Sequence, residues 1–301
     1  MLYHYTTKEG LYGILDSKKF WLVASSEMSD ISDRFYGNLF ATVELLKSAN
    51  ETVKLLSENL TTQDILDVNM ETFHASFYSM SFCEDCNNEF LWDNYTEHNT
   101  GFAVGIDESY FLSSVQNVVN NNYKQLDYED VPQNILEFRK VQYRTLKSKF
   151  EEIVNKLKPD DYILEHNKNA YKDWLLFTLS ILAGIIKAKE YEPEQEIRIL
   201  FQNRYSKEYE NRHPIQLLFS FSKKDALIAL GLSGEPVCII ENSTKTKKRF
   251  ELNLTSFFNS QLIPEVYVGD KCQIGCYELK DKLKSSGLIS TKLLNRKGEE
   301  L

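Results

Sequence analysis

Three charged residues at alternate positions, Glu194, Glu196 and Arg198, stand near the end of the stretch YEPEQEIRIL, residues 191–200. Read as a strand entered from the turn at Pro193, the segment would project all three from one face, because residues two apart share a face. The same residues suit an edge strand guarded by charges. Their charges need partners, solvent or a ligand.

A second candidate lies at the other end of the chain. His4 sits between Tyr3 and Tyr5 in a short β-like run, Leu2–Thr6, directly before a helix start. Free backbone N–H groups at a helix N-terminus favour anions such as phosphate, and an imidazole beside them could hydrogen-bond a ribose hydroxyl or an amide. The plain alternative is a core histidine with its hydrogen bonds satisfied. Tyr5 and Trp21 could stack on a ligand or simply pack, as could the group Ser81, Trp92 and Tyr95.

The elements that must carry these residues follow from patterning. Thr6 and Glu9 read as a capping box, with Leu11, Ile14 and Leu15 on one face of the helix behind it. Strands are expected at Phe20–Ala24, Phe77–Phe82 and Phe102–Ile106, with a short helix bearing Trp92 and Tyr95. A polar turn at residues 25–33 holds Asp30 and Asp33. Helices are expected over Asn38–Val68, Ile135–Leu157 and Ala170–Lys189, with a loop at Asn120–Asn122. Later strands are expected at Ile215–Phe221, Ala226–Leu230, Val237–Ile240, Phe250–Leu254 and Val266–Val268, before a closing helix near Tyr277–Lys284. With no repeat and no Pro/Gly linker, the reading is a single α+β domain over 1–301, with helical insertions at about 38–70 and 130–190.

Composition narrows the function classes. A net charge of −9 argues against a broad basic face for nucleic acid. The basic run Lys245–Arg249 reads as a solvated hairpin face, with local nucleic-acid contact as the minor alternative. The longest apolar run, Trp174–Ile186, is too short to span a membrane. With no apolar leader, a cytoplasmic location is expected. Five cysteines suggest free thiols; Cys83 with Cys86 and Cys272 with Cys276 could hold zinc only without the usual glycine-rich knuckles. No Rossmann glycine turn, P-loop, nucleophile elbow or His-Glu-x-x-His helix occurs.

LYHYT, the Glu9-Gly10-Leu11-x-x-Ile14-Leu15 helix and Phe20-Trp21-Leu22 resemble the start of a bacterial family known as domain of unknown function 2971. Ser81-Phe82-Cys83-Glu84, Leu91-Trp92-x-x-Tyr95, Gly101–Val104, Lys187-x-x-x-Tyr191-x-x-Glu194-Gln195-Glu196-Ile197-Arg198 and the Val266–Gly269 strand extend the resemblance over most of the chain. Departures are Met28-Ser29-Asp30 for the more usual Leu-Asn-Asp-Pro, Asp33 for a glutamate, and Ile197 for an aromatic.

The family's layout in turn looks like the ADP-ribosyltransferase superfamily: a split, mostly antiparallel sheet, an early histidine strand and a late glutamate strand. The resemblance implies an enzyme acting on NAD, by transfer or hydrolysis, in phage defence or as a toxin. Glu196 would be its catalytic carboxylate, supporting an oxocarbenium-like ribose, with Glu194 and Arg198 beside it. His4, Tyr5, Thr6, Trp21, Ser81, Trp92 and Tyr95 would bind NAD. Alternatives are a ligand-binding or sensor module without catalysis, and a Mg²⁺-dependent nuclease using Asp30, Asp33 and Glu196. The first reading requires His4 and Glu196 to meet across a hollow sized for a dinucleotide.

Overall fold

The computed structural model describes residues 1–24, 77–122, 136–143, 184–202, 224–233, 236–241 and 245–301, with a few isolated positions between 43 and 67. The chain divides into two compact units, Met1–Val23, Tyr78–Phe138 and Pro193–Leu301 forming one, Ala24–Phe77 and Arg139–Glu192 the other.

The first elements are β1 (Leu2–Thr6), α1 (Lys8–Ser17) and β2 (Lys19–Ala24). Helix α1 is capped by Thr7, one residue later than the expected Thr6, its hydroxyl accepting from the Gly10 N–H. Thr6 instead ends β1 and packs against Gly10, where a Cβ would lie 2.0 Å from its hydroxyl oxygen. Leu11, Ile14 and Leu15 are buried as their spacing requires. Lys18 closes the helix in the left-handed region, φ 53°, its N–H bonded to the Ile14 carbonyl.

Next come β3 (Phe77–Cys83), α2 (Glu89–Tyr95), β4 (Phe102–Ile106) and α3 (Glu108–Asn122). Helix α3 corrects the loop expected at Asn120–Asn122. Phe111, Val115 and Val119, four residues apart, bury one stripe and carry the asparagines along as its last turn. The N-terminal part of the helix expected over Ile135–Leu157 is extended instead, as β5 (Glu137–Lys140) and β6 (Gln142–Tyr143). Phe138 is held by aromatic contacts with Phe82 and Phe111, each 5.4 Å between ring centroids. The end of the Ala170–Lys189 helix is likewise replaced by β7 (Ile186–Lys187), which pairs in parallel with β6. Residues 144–183 lie outside the described residues.

A 3-10 turn, Lys189–Glu194, leads into β8 (Glu196–Gln202). The strand expected at Ala226–Leu230 is a helix, α4 (Lys224–Ala229), because Leu227 and Leu230 bury at helical spacing while Ile228 is exposed. Then follow β9 (Val237–Glu241), β10 (Lys245–Asn253), β11 (Glu265–Val268), α5 (Cys276–Ser285) and β12 (Lys292–Asn295), the last not foreseen in the sequence. The basic run Lys245–Arg249 forms the start of β10, antiparallel to β9, as a hairpin reading expects. The expected turn at 25–33, most of the helices over Asn38–Val68 and the strand at Ile215–Phe221 lie outside the described residues.

The fold is mixed α and β, with a mostly antiparallel open sheet of ten strands in the order β12-β11-β4-β1-β3-β2-β10-β9; β8 joins β3, and β5 joins β8. Strand β3 therefore has three partners on its two edges, so one edge is shared and the sheet forks. Strand β1 pairs with β4 over five residues but with β3 only at Tyr3↔Cys83. Alternation puts Tyr78, Met80 and Phe82 on one face of β3, with Phe20, Phe111 and Phe138 packed there. The opposite face gathers Tyr3, Tyr5, Cys83, Leu91 and Trp92 in a second core under α2.

Candidate functional site

Ser81 lies at the fork and is bound from two strands. The Nδ1 of His4 on β1 lies 2.9 Å from the Ser81 carbonyl oxygen. A carbonyl can only accept, so Nδ1 carries the proton and replaces the strand N–H that would have bonded there had β1 continued beside β3. Ser81 also donates its hydroxyl to Oε1 of Glu196 on β8. Two distant segments thus meet on one serine. Nε2 of His4 has no partner among the described residues. Burial holds this imidazole below its ordinary pKa of 6.5, and the bond to Ser81 opposes that shift.

Glu196 and Arg198 project from the same face of β8, as alternation predicts, and form a bidentate pair: Nε to Oε1 at 2.6 Å and Nη2 to Oε2 at 2.9 Å. Glu196 is 4% exposed and Arg198 3%. Both oxygens of the carboxylate are therefore engaged. Glu194 departs from the expectation. It ends the 3-10 turn instead of entering the strand, because Gln195 adopts φ 45° and breaks the alternation. Its carboxylate is buried and accepts from the Tyr95 hydroxyl at 2.8 Å.

The remaining candidates take distinct places. His4 lies beside Phe82, 5.8 Å between ring centroids, on the opposite face of β3 from the Ser81 side chain, so His4 and Glu196 are linked through Ser81 and do not face each other across a shared hollow as expected. Tyr5 and Trp92 pack edge to face at 5.3 Å inside the second core. Tyr5 donates its hydroxyl to the Asp85 carbonyl and accepts the Asn88 N–H. Trp21 is 41% exposed, with the Arg249 guanidinium 3.5 Å above its ring. Thr6 is buried at the end of β1, where Gly101 lets its carbonyl approach: a Cβ there would lie 2.3 Å from that oxygen.

Sequence reasoning missed Asn88 and Arg296. Asn88 caps α2, accepting the Leu91 N–H, and donates its side-chain amide to the Pro193 carbonyl at 2.7 Å. It thereby ties the helix bearing Tyr95 to the turn bearing Glu194. An asparagine just before Glu89 is a recognisable cap signal. Arg296 holds the same helix start through Asn87 at 2.8 Å and through Glu89, while stacking over Trp92. Its distance in sequence left no local sign.

Asp30 and Asp33 of the metal reading lie outside the described residues, and no group of three or more potential metal ligands occurs among the described ones. All five cysteines are free thiols; burial raises the pKa of Cys83. Among the described residues no helix is long and apolar enough to cross a membrane.

Residues 91–199, from α2 to β8, match the model of a family described as "Protein of unknown function (DUF2971)"; the match supports the resemblance at the motifs around Trp92, Gly101 and Glu194–Arg198, while the motifs at residues 2–22, 81–84 and 266–269 lie outside it. No curated protein and no solved structure gives a match.

Proposed function

We propose that the chain is an ADP-ribosyltransferase-like enzyme acting on NAD, by transfer or hydrolysis. One observation carries this reading: the early histidine strand and the late glutamate strand both end on Ser81, at the fork of the sheet. Glu196 serves as the carboxylate that stabilises the oxocarbenium-like ribose as the nicotinamide bond breaks. Ser81 and Arg198 fix its orientation. Glu194, pinned by Tyr95, orients the acceptor, and His4, on the other face of β3, acts by holding the Ser81 carbonyl and so the strand that carries the hydroxyl. The family resemblance also motivates a role in phage defence or as a toxin.

The test is calorimetric titration of NAD together with an assay of nicotinamide release, on the wild type and Glu196→Gln. Binding is expected to persist while release falls roughly a hundred- to thousand-fold, the usual cost of losing one such electrostatic contact. Absence of both binding and release in the wild type rejects the reading.

A second reading, a ligand-binding or sensor module without catalysis, is favoured by the full engagement and burial of Glu196. A buried ion pair is weak support for function by itself. On that reading the wild type binds its ligand and releases no nicotinamide, while the stability lost in Glu196→Gln is common to both readings because it breaks the buried pair.

A further inference from the structure

Ser79 stands two residues before Ser81 on β3, so its side chain points to the same face, roughly 7 Å along the strand. Glu196 and Arg198 alternate in the same way on β8, which pairs with β3. This pair of strands thus presents four polar side chains on one face. Three of them are joined: Ser81 to Glu196, and Glu196 to Arg198. The fourth is left over. Ser79 is 2% exposed, and its hydroxyl is the one buried side-chain polar atom without a hydrogen-bond partner among the described residues.

A buried hydroxyl with no partner is costly, and most native folds avoid it. This one occurs one pleat from Ser81, the serine that bonds the carboxylate proposed for the chemistry. Ser81 itself is partly buried, less closed than Ser79 and Glu196. Glu196 and Arg198 pair their charges with each other, and the Ser79 hydroxyl can both donate to and accept from a neutral polar group. We propose that Ser79 is a ligand-binding residue of this site, whose hydroxyl takes a sugar hydroxyl or a carboxamide when the nucleotide is bound. The inference rests on the NAD reading above and adds a contact to it.

The test compares wild type, Ser79→Ala and Ser79→Cys by melting without ligand and by calorimetric titration with NAD, ADP-ribose and nicotinamide. Without ligand, Ser79→Ala should melt at or above the wild-type temperature, since it removes a hydroxyl that bonds to nothing. Its affinity for NAD should fall about three- to ten-fold, the worth of one neutral hydrogen bond. Ser79→Cys, nearly the same size with a weak donor, should show the same loss. If the loss recurs with ADP-ribose the partner is a sugar hydroxyl; if with nicotinamide, the carboxamide. Unchanged NAD affinity in both variants overturns the role of Ser79 and leaves the NAD reading standing. A lower melting temperature for Ser79→Ala also overturns it, because the hydroxyl then has a partner in the free protein. No binding by the wild type removes the NAD reading and the inference with it.

Discussion

Glu196 and Arg198, two residues apart on β8, share two charge-assisted hydrogen bonds while nearly sealed from solvent. Removing one partner of a buried pair leaves an uncompensated charge, which costs about 3–5 kcal/mol. Arg198→Met is expected to lower stability by that order in urea unfolding. The double variant Glu196→Leu with Arg198→Met should recover much of the loss, since packed apolar residues often replace such a pair without penalty. If the single variant unfolds at the wild-type urea concentration, the pair does not hold this strand.

Ser81→Ala removes the hydroxyl that orients Glu196. A hydrogen bond to a charged group contributes roughly 1.5–3 kcal/mol. On the NAD reading, kcat for nicotinamide release should therefore fall about ten-fold or more, with KM little changed. Steady-state kinetics of Ser81→Ala and Ser81→Thr would check this. A rise in KM at constant kcat would instead place Ser81 in substrate binding alone.

His4 gives the fold a pH dependence whose sign is fixed. Its pKa is lowered on folding, so the unfolded chain binds the proton more readily. The stability linked to neutral His4 is complete above the ordinary value of 6.5 and is lost as pH falls below it, levelling off beneath the folded pKa. Melting temperature against pH should show a drop from neutral to pH 5 that is smaller in His4→Gln. An equal drop in both proteins would assign the effect to other groups.

Gly101 is needed for close approach. A Cβ at this position would lie 2.3 Å from the Thr6 carbonyl oxygen, a backbone atom that cannot swing aside. Gly101→Ala is expected to cost about 1–3 kcal/mol through a forced shift of β1 against β4. Thermal melting would detect it, and a melting point equal to wild type would show that the strands give way freely.

Much of the fold was legible locally. Strand β4 and the apolar stripe of α1 follow from patterns that a few neighbouring residues complete, and so does the shared face of Glu196 and Arg198. Where the sequence misled, tertiary packing overrode a local pattern. The apolar spacing around Phe138 suits a helix, but its ring is drawn into an aromatic cluster with Phe82 and Phe111. At Glu194 the alternating charges suggest an extended strand, but Gln195 takes a left-handed conformation.

By itself, the sequence determined that His4 would lie in β1 and that Glu196 and Arg198 would share one face of a strand, because side-chain period is a local property of the chain. It could not determine that β3 would have three partners, that His4 would satisfy the carbonyl freed at the fork, or that Ser81 would join His4 to Glu196. Those contacts close separations of 77 and 115 residues. They depend on strand order and on which backbone groups the ladder leaves unpaired, and only the assembled sheet sets either.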